Sequence, residues 1–415
     1  VDVIHVAGTK GKGATCAFAC SFLKAHGERT GFPKKIGLYT SPHLTSVRER
    51  IRINFTPLSE EVFAKYFFEV WEKVSSHALQ HSYRLPGPLQ LLMLVSVHAF
   101  DREGVDAAIC EAHHGGEYCA TNLLSPTVTG ITTLGLDYSN SLGPVIENVA
   151  WHKGGIFKPG IPAFSSPQTP EAAKVLQDRA AEKGIQLKFI DINPVLQSET
   201  SLVLEPEVQR VNASLAIALA STLLTAKATK EEHGLTSQDI FQGIKQYAWP
   251  GRFHRVMDGS RQWFLDSAHN ELSLKIASRW FAKSALENSG TSGPRILIFS
   301  HQSFRNGPAL LKSVAESLEA SGIQMEHVIF VPTGEGREAY SHGCITDWQD
   351  IANQYVETWR RIDSKAHISL QPTIYDALEL AKRIGDRQRG MQTFVTGDVR
   401  LIGPCLEALE GYSSQ

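Results

Sequence analysis

The chain has 415 residues, of which 42% are hydrophobic and 20% charged, and its formal net charge is −2. That balance suits a globular chain with enough core for two or three domains, and it argues against a general nucleic-acid binder. No apolar run approaches the roughly 20 residues of a membrane helix, and the six cysteines show no CxxC spacing, so reduced thiols inside a cell are expected.

The first element is the most informative. Val3, Ile4 and Val6 read as a short buried strand, Gly8, Gly11 and Gly13 as a glycine loop, and Ala14 to Ala25 as a helix. Such a strand–loop–helix turns backbone N–H groups and the positive end of a helix toward one concavity, which suits phosphate. Lys12 then reaches the β- and γ-phosphates of a nucleotide. The spacing is not G-x-x-x-x-G-K-[ST], because the first glycine of that pattern would fall on Val6 and Gly13 follows the lysine. The variant GTKGKGAT resembles the loop of the Mur ligase superfamily and, within it, of the folylpolyglutamate synthases. The resemblance implies ATP binding by Gly8, Thr9, Lys10, Gly11, Lys12, Gly13 and Thr15.

Farther along, Gly27 is expected to cap the first helix, and Lys35 to Thr40 reads as a second strand broken by Pro42. Ser41 then lies at a strand's carboxyl end, where its hydroxyl is a hard ligand for Mg²⁺ or else a turn serine. TSPHL followed by RERIRIN is similar to the same family and favours the metal role. Ser59 to Gln80 and Leu89 to Arg102 read as packing helices. The family carries an aromatic and a charged residue near its pterin-bearing substrate where this chain has Pro88-Leu-Gln-Leu-Leu-Met93.

Val105 to Cys110 is a third buried strand with Glu111 at its end, a carboxylate where a magnesium site needs one. His113, His114 and Cys119 invite zinc, but no fourth ligand is spaced to complete a site, and an altered pocket shape is the better reading. Pro126 to Thr133 is the next strand, followed by Asp137-Tyr138 where the resembling enzymes have Asp-His, the histidine being a metal ligand. Tyr138, with a phenol that normally titrates near 10, is a poor substitute for it. Trp151-His-Lys-Gly-Gly-Ile156 matches the motif whose lysine, here Lys153, is carbamylated.

Strands at Ile161 to Phe164 and Gln186 to Asp191 flank a helix from Pro170 to Lys183, and a further helix covers Ala213 to Leu224. Asn212 is either its cap or, by resemblance, an adenine contact. Trp249-Pro-Gly-Arg-Phe253 reads as a joint, and the resemblance brings Arg252 to the phosphates. Short strands at Trp263 to Asp266, Arg295 to Ser300, His327 to Val331 and Thr393 to Thr396 then indicate a second α/β unit. Within it Phe264-Leu-Asp-Ser-Ala-His269 resembles the strand-end motif that would give Asp266 and His269 roles near ribose, phosphate or the incoming amine, while Ser300 to Arg305 keeps little of its counterpart.

The fold implied is α/β: an N-terminal P-loop NTPase-like Mur ligase domain over residues 1–248, which binds ATP, and a smaller Rossmann-like domain over 249–415 on the amino-acid and nucleotide side of a cleft. The activity implied is an ATP-dependent carboxylate–amine ligase that passes through an acyl phosphate, with Lys12, Lys153, His269 and Asp266 as catalytic residues, Ser41, Glu111 and, in place of the family's histidine, Tyr138 on metal, and ATP and Mg²⁺ as cofactors. The substrates implied are a carboxylic acid, a folate or another, and an amino acid, glutamate in the family; a monomer that binds neither nucleic acid nor membrane is expected. Three alternatives stay open: a paralogue that joins an amino acid to a non-folate acid, a nucleotide switch, and a binding-only relative. The chain opens almost inside its first strand, so a preceding segment is expected to be absent from it, and the expected compartment is the cytoplasm or else the mitochondrion.

Overall fold

The computed structural model describes residues 1–197, 201–227, 234–287, 293–302, 305–333 and 348–412. Cys344 and residues 303 and 304 lie outside the described residues. The described chain forms two compact units, 1–248 and 249–412.

The first unit runs β1 (Asp2–Ala7), α1 (Lys12–Thr30), β2 (Ile36–Tyr39), β3 (Ile51–Ile53), β4 (Thr56–Pro57), α2 (Glu60–His81), α3 (Pro88–Arg102), β5 (Ala107–Glu111), β6 (Val128–Ile131), α4 (Ser139–Leu142), α5 (Ile146–Gly154), β7 (Ala163–Ser165), α6 (Pro170–Glu182), β8 (Leu187–Phe189), α7 (Pro194–Gln197), α8 (Val208–Lys227) and α9 (Ser237–Gln246). Its sheet has the order β4-β3-β2-β5-β1-β6-β7-β8, with β3 and β4 antiparallel and the rest parallel. Central parallel strands are covered on both faces, which is why β5 is buried at every residue and reads as a continuous apolar run until Glu111. The chain passes from β1 to β2 and leaves room for β5 between them, a switch point whose crevice opens at the carboxyl ends of the strands. The register Val6 to Glu111 and Tyr39 to Cys110 brings the glycine loop, Glu111 and Ser41 to that one edge.

Helix α1 is buried along most of its length against α8 and α9. It continues past Gly27 and is capped by Gly31 at φ 85°. Gly27 is glycine for a different reason: a Cβ there would lie 2.1 Å from the Pro33 carbonyl oxygen. At Gly243 of α9 a Cβ would lie 2.4 Å from the Phe22 ring, and Phe18 stacks on Tyr247 with ring centroids 3.7 Å apart. Arg29 closes this side with bonds of 2.8 and 2.7 Å to the two oxygens of buried Asp239.

The second unit runs β9 (His254–Asp258), β10 (Arg261–Asp266), α10 (Glu271–Glu287), β11 (Arg295–Phe299), α11 (Gly307–Glu319), β12 (His327–Phe330), α12 (Trp348–Ile362), β13 (His367–Leu370), α13 (Ile374–Arg387), β14 (Met391–Thr396) and α14 (Val399–Glu410). Its sheet order is β13-β12-β11-β14-β10-β9, parallel except for β9. Phe264, Phe281 and Phe394 anchor its core, the last two stacked at 4.9 Å. Among the described residues no helix is long and apolar enough to cross a membrane.

Burial pushes the Asp239 carboxyl up, but its hydrogen bonds to Arg29 and Thr236 outweigh that and hold it below the usual range. Arg29→Ala is therefore expected to cost about 2 kcal/mol in urea unfolding at pH 7. Because Asp239 has a depressed folded-state pKa, this difference should persist above about pH 4 and shrink as pH falls through the folded value.

Candidate functional site

The loop after β1 is shaped by two close approaches. A Cβ on Gly8, which has φ +147°, would lie 1.8 Å from Thr132 Oγ1, and one on Gly11, at φ +85°, would lie 2.1 Å from Asn212 Oδ1. The amides of Thr9 and Lys10 both donate to the Thr133 carbonyl at 3.1 and 3.0 Å, and the Thr9 hydroxyl donates to Gly135 O at 3.0 Å. Helix α1 has no side-chain cap, and its first internal bond is Thr15 N to Gly11 O at 2.8 Å. The amides of Lys12, Gly13 and Ala14 precede that bond and have no acceptor within the helix, so the loop presents donors and a positive dipole end to an anion. Asn212 lies inside α8, which starts at Val208, so it does not cap that helix. Instead it donates to Gln209 Oε1 at 2.9 Å and packs its amide under Gly11.

Charges gather where the strands end. Lys12 Nζ lies 3.8 Å from Glu111 Oε1, and Lys10 Nζ 3.8 Å from Asp137 Oδ2. Glu111, only 3% exposed, also accepts from the Ser41 amide at 3.1 Å, which holds its carboxylate beside the serine. One carboxylate and one hydroxyl form a hard oxygen pair that fits Mg²⁺, an ion that takes few protein ligands and completes its shell with phosphate and water. The Thr15 hydroxyl, in the first turn of α1, is buried and finds no hydrogen-bond partner among the described residues. Arg50, which sequence reasoning passed over within RERIRIN, donates to Ser41 Oγ at 3.0 Å and His43 Nδ1 at 2.9 Å and adds a further cation.

Lys153 is reached from α5. Its Nζ is fully enclosed and donates to Gly8 O at 2.8 Å and His114 O at 2.9 Å. Burial lowers its pKa well below the usual lysine value, Lys12 and Lys10 push the same way, and Asp137 opposes them. A neutral amine has two N–H groups and one lone pair; two carbonyls take the N–H groups, and the lone pair remains for an electrophile. Tyr138 has a backbone φ of 52°, and its ring lies against His114 with centroids 4.3 Å apart. His113 turns to Tyr39 and Cys119. The two adjacent histidines thus face different neighbours, and no group of three or more metal-ligating side chains converges among the described residues.

A groove of ≈1170 Å³ opens between α2 and α3. Leu85, Met93, Leu94, Val97 and Leu123 line it, with Lys73 and Arg84 among the polar residues. In the second unit Asp266 ends β10, where its carboxylate accepts from Phe253 N at 2.8 Å and Ala268 N at 2.9 Å and so folds the turns on either side. His269 Nδ1 lies 2.8 Å from Ser267 O, and Arg252 donates to Gly251 O at 3.0 Å. Thr132 and Thr133, which lie against the glycine loop, carried no motif signal; the strand read over Pro126 to Thr133 ends earlier, at Ile131, and leaves both in the turn beyond it.

No protein-family model matches the chain. It is 39% identical to a folylpolyglutamate synthase of Neurospora crassa, over 99% of this chain and 81% of that protein. It is 38% identical to a probable folylpolyglutamate synthase of Schizosaccharomyces pombe, over 99% and 84%. Among solved structures, the folylpolyglutamate synthase of Mycobacterium tuberculosis complexed with ADP and AMPPCP matches with a TM-score of 0.79 at 22% identity, over 100% and 92% of the two chains, which is a likeness of fold.

The burial of Lys153 has a measurable sign. Between its lowered native pKa and the unfolded value of about 10.4 the unfolded chain holds one more proton, so stability rises with pH. In carbonate-free buffer the stability of wild type relative to Lys153→Met should climb with pH, by up to about 1.4 kcal/mol per pH unit, in urea titrations between the lowered native value and about pH 10. A flat difference would show a charged amine instead.

Proposed function

The chain belongs to the folylpolyglutamate synthase family, and we infer from that premise and the geometry of residues 8–15 that it is an ATP-dependent ligase that adds L-glutamate to a folate through an acyl phosphate. The observation that carries the reading is the cationic loop: Lys12 over the open end of α1, 3.8 Å from the Glu111 carboxylate.

The N–H groups of residues 12–14 and the Lys12 ammonium bind the triphosphate and stabilise charge that develops on its terminal group as a substrate carboxylate attacks. Ser41 and Glu111 would hold Mg²⁺, which supplies further neutralisation of phosphate charge when bound. Lys153 is proposed to be carbamylated: its lone pair attacks CO₂, a C–N bond forms, a proton leaves, and an anionic oxygen ligand replaces an amine. Tyr138, a phenol packed on His114, is assigned no metal role. Residues 1–248 form the nucleotide-binding domain, with Asn212 as an adenine contact. Residues 249–415 form the second ligase domain, where Arg252, His269 and the turn held by Asp266 serve phosphate and the incoming amine. The working state is proposed to be a monomer.

One observation favours a second reading of the acid alone. The groove between α2 and α3 is lined mainly by apolar side chains, which suits an acid with a more apolar body than a folate.

The test is ADP release by the purified chain with ATP, Mg²⁺ and L-glutamate against a panel of acids, with product masses read by spectrometry. Folate-dependent release and a product heavier by one glutamyl residue are expected; dependence on an apolar acid alone would select the second reading. Lys12→Ala should lower turnover by about 10³-fold. Wild-type turnover in that variant would overturn both.

A further inference from the structure

Lys12, Glu111, Ser41 and Arg50 stand in a row along the carboxyl edge of the first sheet, in the strand order β1, β5, β2, β3. Lys12 Nζ lies 3.8 Å from Glu111, Glu111 accepts from the Ser41 amide at 3.1 Å, and the Ser41 hydroxyl accepts from Arg50 Nη1 at 3.0 Å. Arg50 directly precedes β3, whose first residue, Ile51, pairs with Tyr39 at the end of β2. The segment that leads to it is tightly tied. Glu49, 1% exposed, accepts from the amides of Leu44, Thr45 and Ser46 and from the Thr45 hydroxyl, and the Arg50 carbonyl accepts from Thr40 N at 3.0 Å. The half-buried guanidinium held there lacks a counter-charge. Its Nε donates to His43 Nδ1 at 2.9 Å, and a ring nitrogen that accepts carries no proton. Its other partner is a hydroxyl, and among the described residues Arg50 makes no ion pair. Both N–H groups on Nη2 are left over. A cation drawn partly out of water and met only by neutral acceptors is an unfinished anion site.

The row also says which anion completes it. Nucleotide phosphates belong at the Lys12 end, where the open amides of α1 are. In-line displacement brings the attacking oxygen to the γ-phosphorus from the side opposite the departing β-phosphate, which is the Arg50 end. A cavity lies on that side as well. Helix α3 runs back into β5, so its first turn sits at the carboxyl edge, and Gly87 and Gln90 there line the groove of ≈1170 Å³. Val70, Met93 and Leu124 of the groove wall pack into one core cluster with Val47 and Ile51, which flank Arg50.

We propose that Arg50 binds the reacting carboxylate of the acid substrate and delivers one of its oxygens to the γ-phosphate from the side away from the glycine loop. The assignment rests on the ligase reading and holds for a folate and for a more apolar acid alike. The carboxylate oxygen forms a bond to the γ-phosphorus as the bond from that phosphorus to the β,γ-bridging oxygen breaks. ADP leaves with the electron pair, and no proton moves. Arg50 keeps its charge throughout and offsets the repulsion between two anions that must meet. Arginine suits the task because its planar fork of N–H groups matches the two oxygens of a carboxylate, whereas a lysine offers a single point of charge.

The test uses the full chain in two ways. In the first, wild type is labelled with phenylglyoxal, which modifies arginine, and peptide masses give the rate at Arg50 with saturating folate, phenylbutyrate, or AMPPCP and Mg²⁺. At least one acid should slow labelling of Arg50 by about fivefold or more, and AMPPCP alone by less than about twofold. Protection by AMPPCP alone, or by none of the three, overturns the proposal. In the second, Arg50→Met should lower kcat/KM for the acid by about 10²-fold, chiefly through KM, with AMPPCP affinity within about twofold of wild type. Arg50→Lys should recover part of the loss. An unchanged KM for the acid in Arg50→Met, with weakened AMPPCP binding, also overturns the proposal. If wild type releases no ADP with any acid, the ligase reading fails instead, and protection of Arg50 by the acids alone decides whether the guanidinium is a carboxylate site.

Discussion

The candidate site depends on a buried amine tied to two carbonyls. Lys153 crosses from α5 to Gly8 O in the loop after β1 and to His114 O in the loop after β5, so one side chain fixes both walls of the crevice. The reach is possible because the end of α5 and the 115–117 segment nearly touch: a Cβ on Gly116 would lie 2.5 Å from His152 O, and one on Gly155 would lie 2.4 Å from a Glu117 carboxylate oxygen. Glycine at both positions lets the backbones close, and the amine is thereby shut away from water. Desolvation dominates its electrostatics for that reason, with the neighbouring lysines adding to it.

Around that amine the charges are lopsided. Lys10, Lys12 and Arg50 crowd the carboxyl edge of the first sheet, and the ion pairs there offer Glu111 and Asp137 in return. Contacts of 3.8 Å are loose for ion pairs, and each lysine has room to turn to a better anion. A triphosphate carries more negative charge than the two carboxylates together and would relieve the like-charge crowding among the cations. The topology sets this up before any side chain is considered, since β5 inserted between β1 and β2 brings three strand ends to one crevice.

The parts of the molecule governed by local rules could be read from the sequence. The apolar run 3–6 followed by three glycines specified strand, loop and helix, and the carboxylate after β5 announced itself as a charge at the end of an apolar strand. Harder to see were features set by distant contacts. Gly27 looked like a helix stop because nothing local distinguishes a glycine that caps from one that admits the Pro33 carbonyl. A cap stood as one of two readings of Asn212 because the turn that precedes it, from Val208, is weakly apolar. The edge strands β9 and β13 escaped because they are partly exposed and mix polar with apolar residues, which blurs the period that marks a buried strand. Thr133 contributes a carbonyl, which any residue possesses, and such a role leaves no trace in side-chain identity.

The near contact of Gly243 with Phe22 also orders how the seam between α1 and α9 can diverge. A methyl on α9 has no room while the benzyl group opposite remains, whereas a smaller residue at position 22 leaves a void that a later methyl could fill. Lineages that exchange this pair must shrink the ring before they enlarge the glycine, and each intermediate along the way carries a cavity rather than a clash.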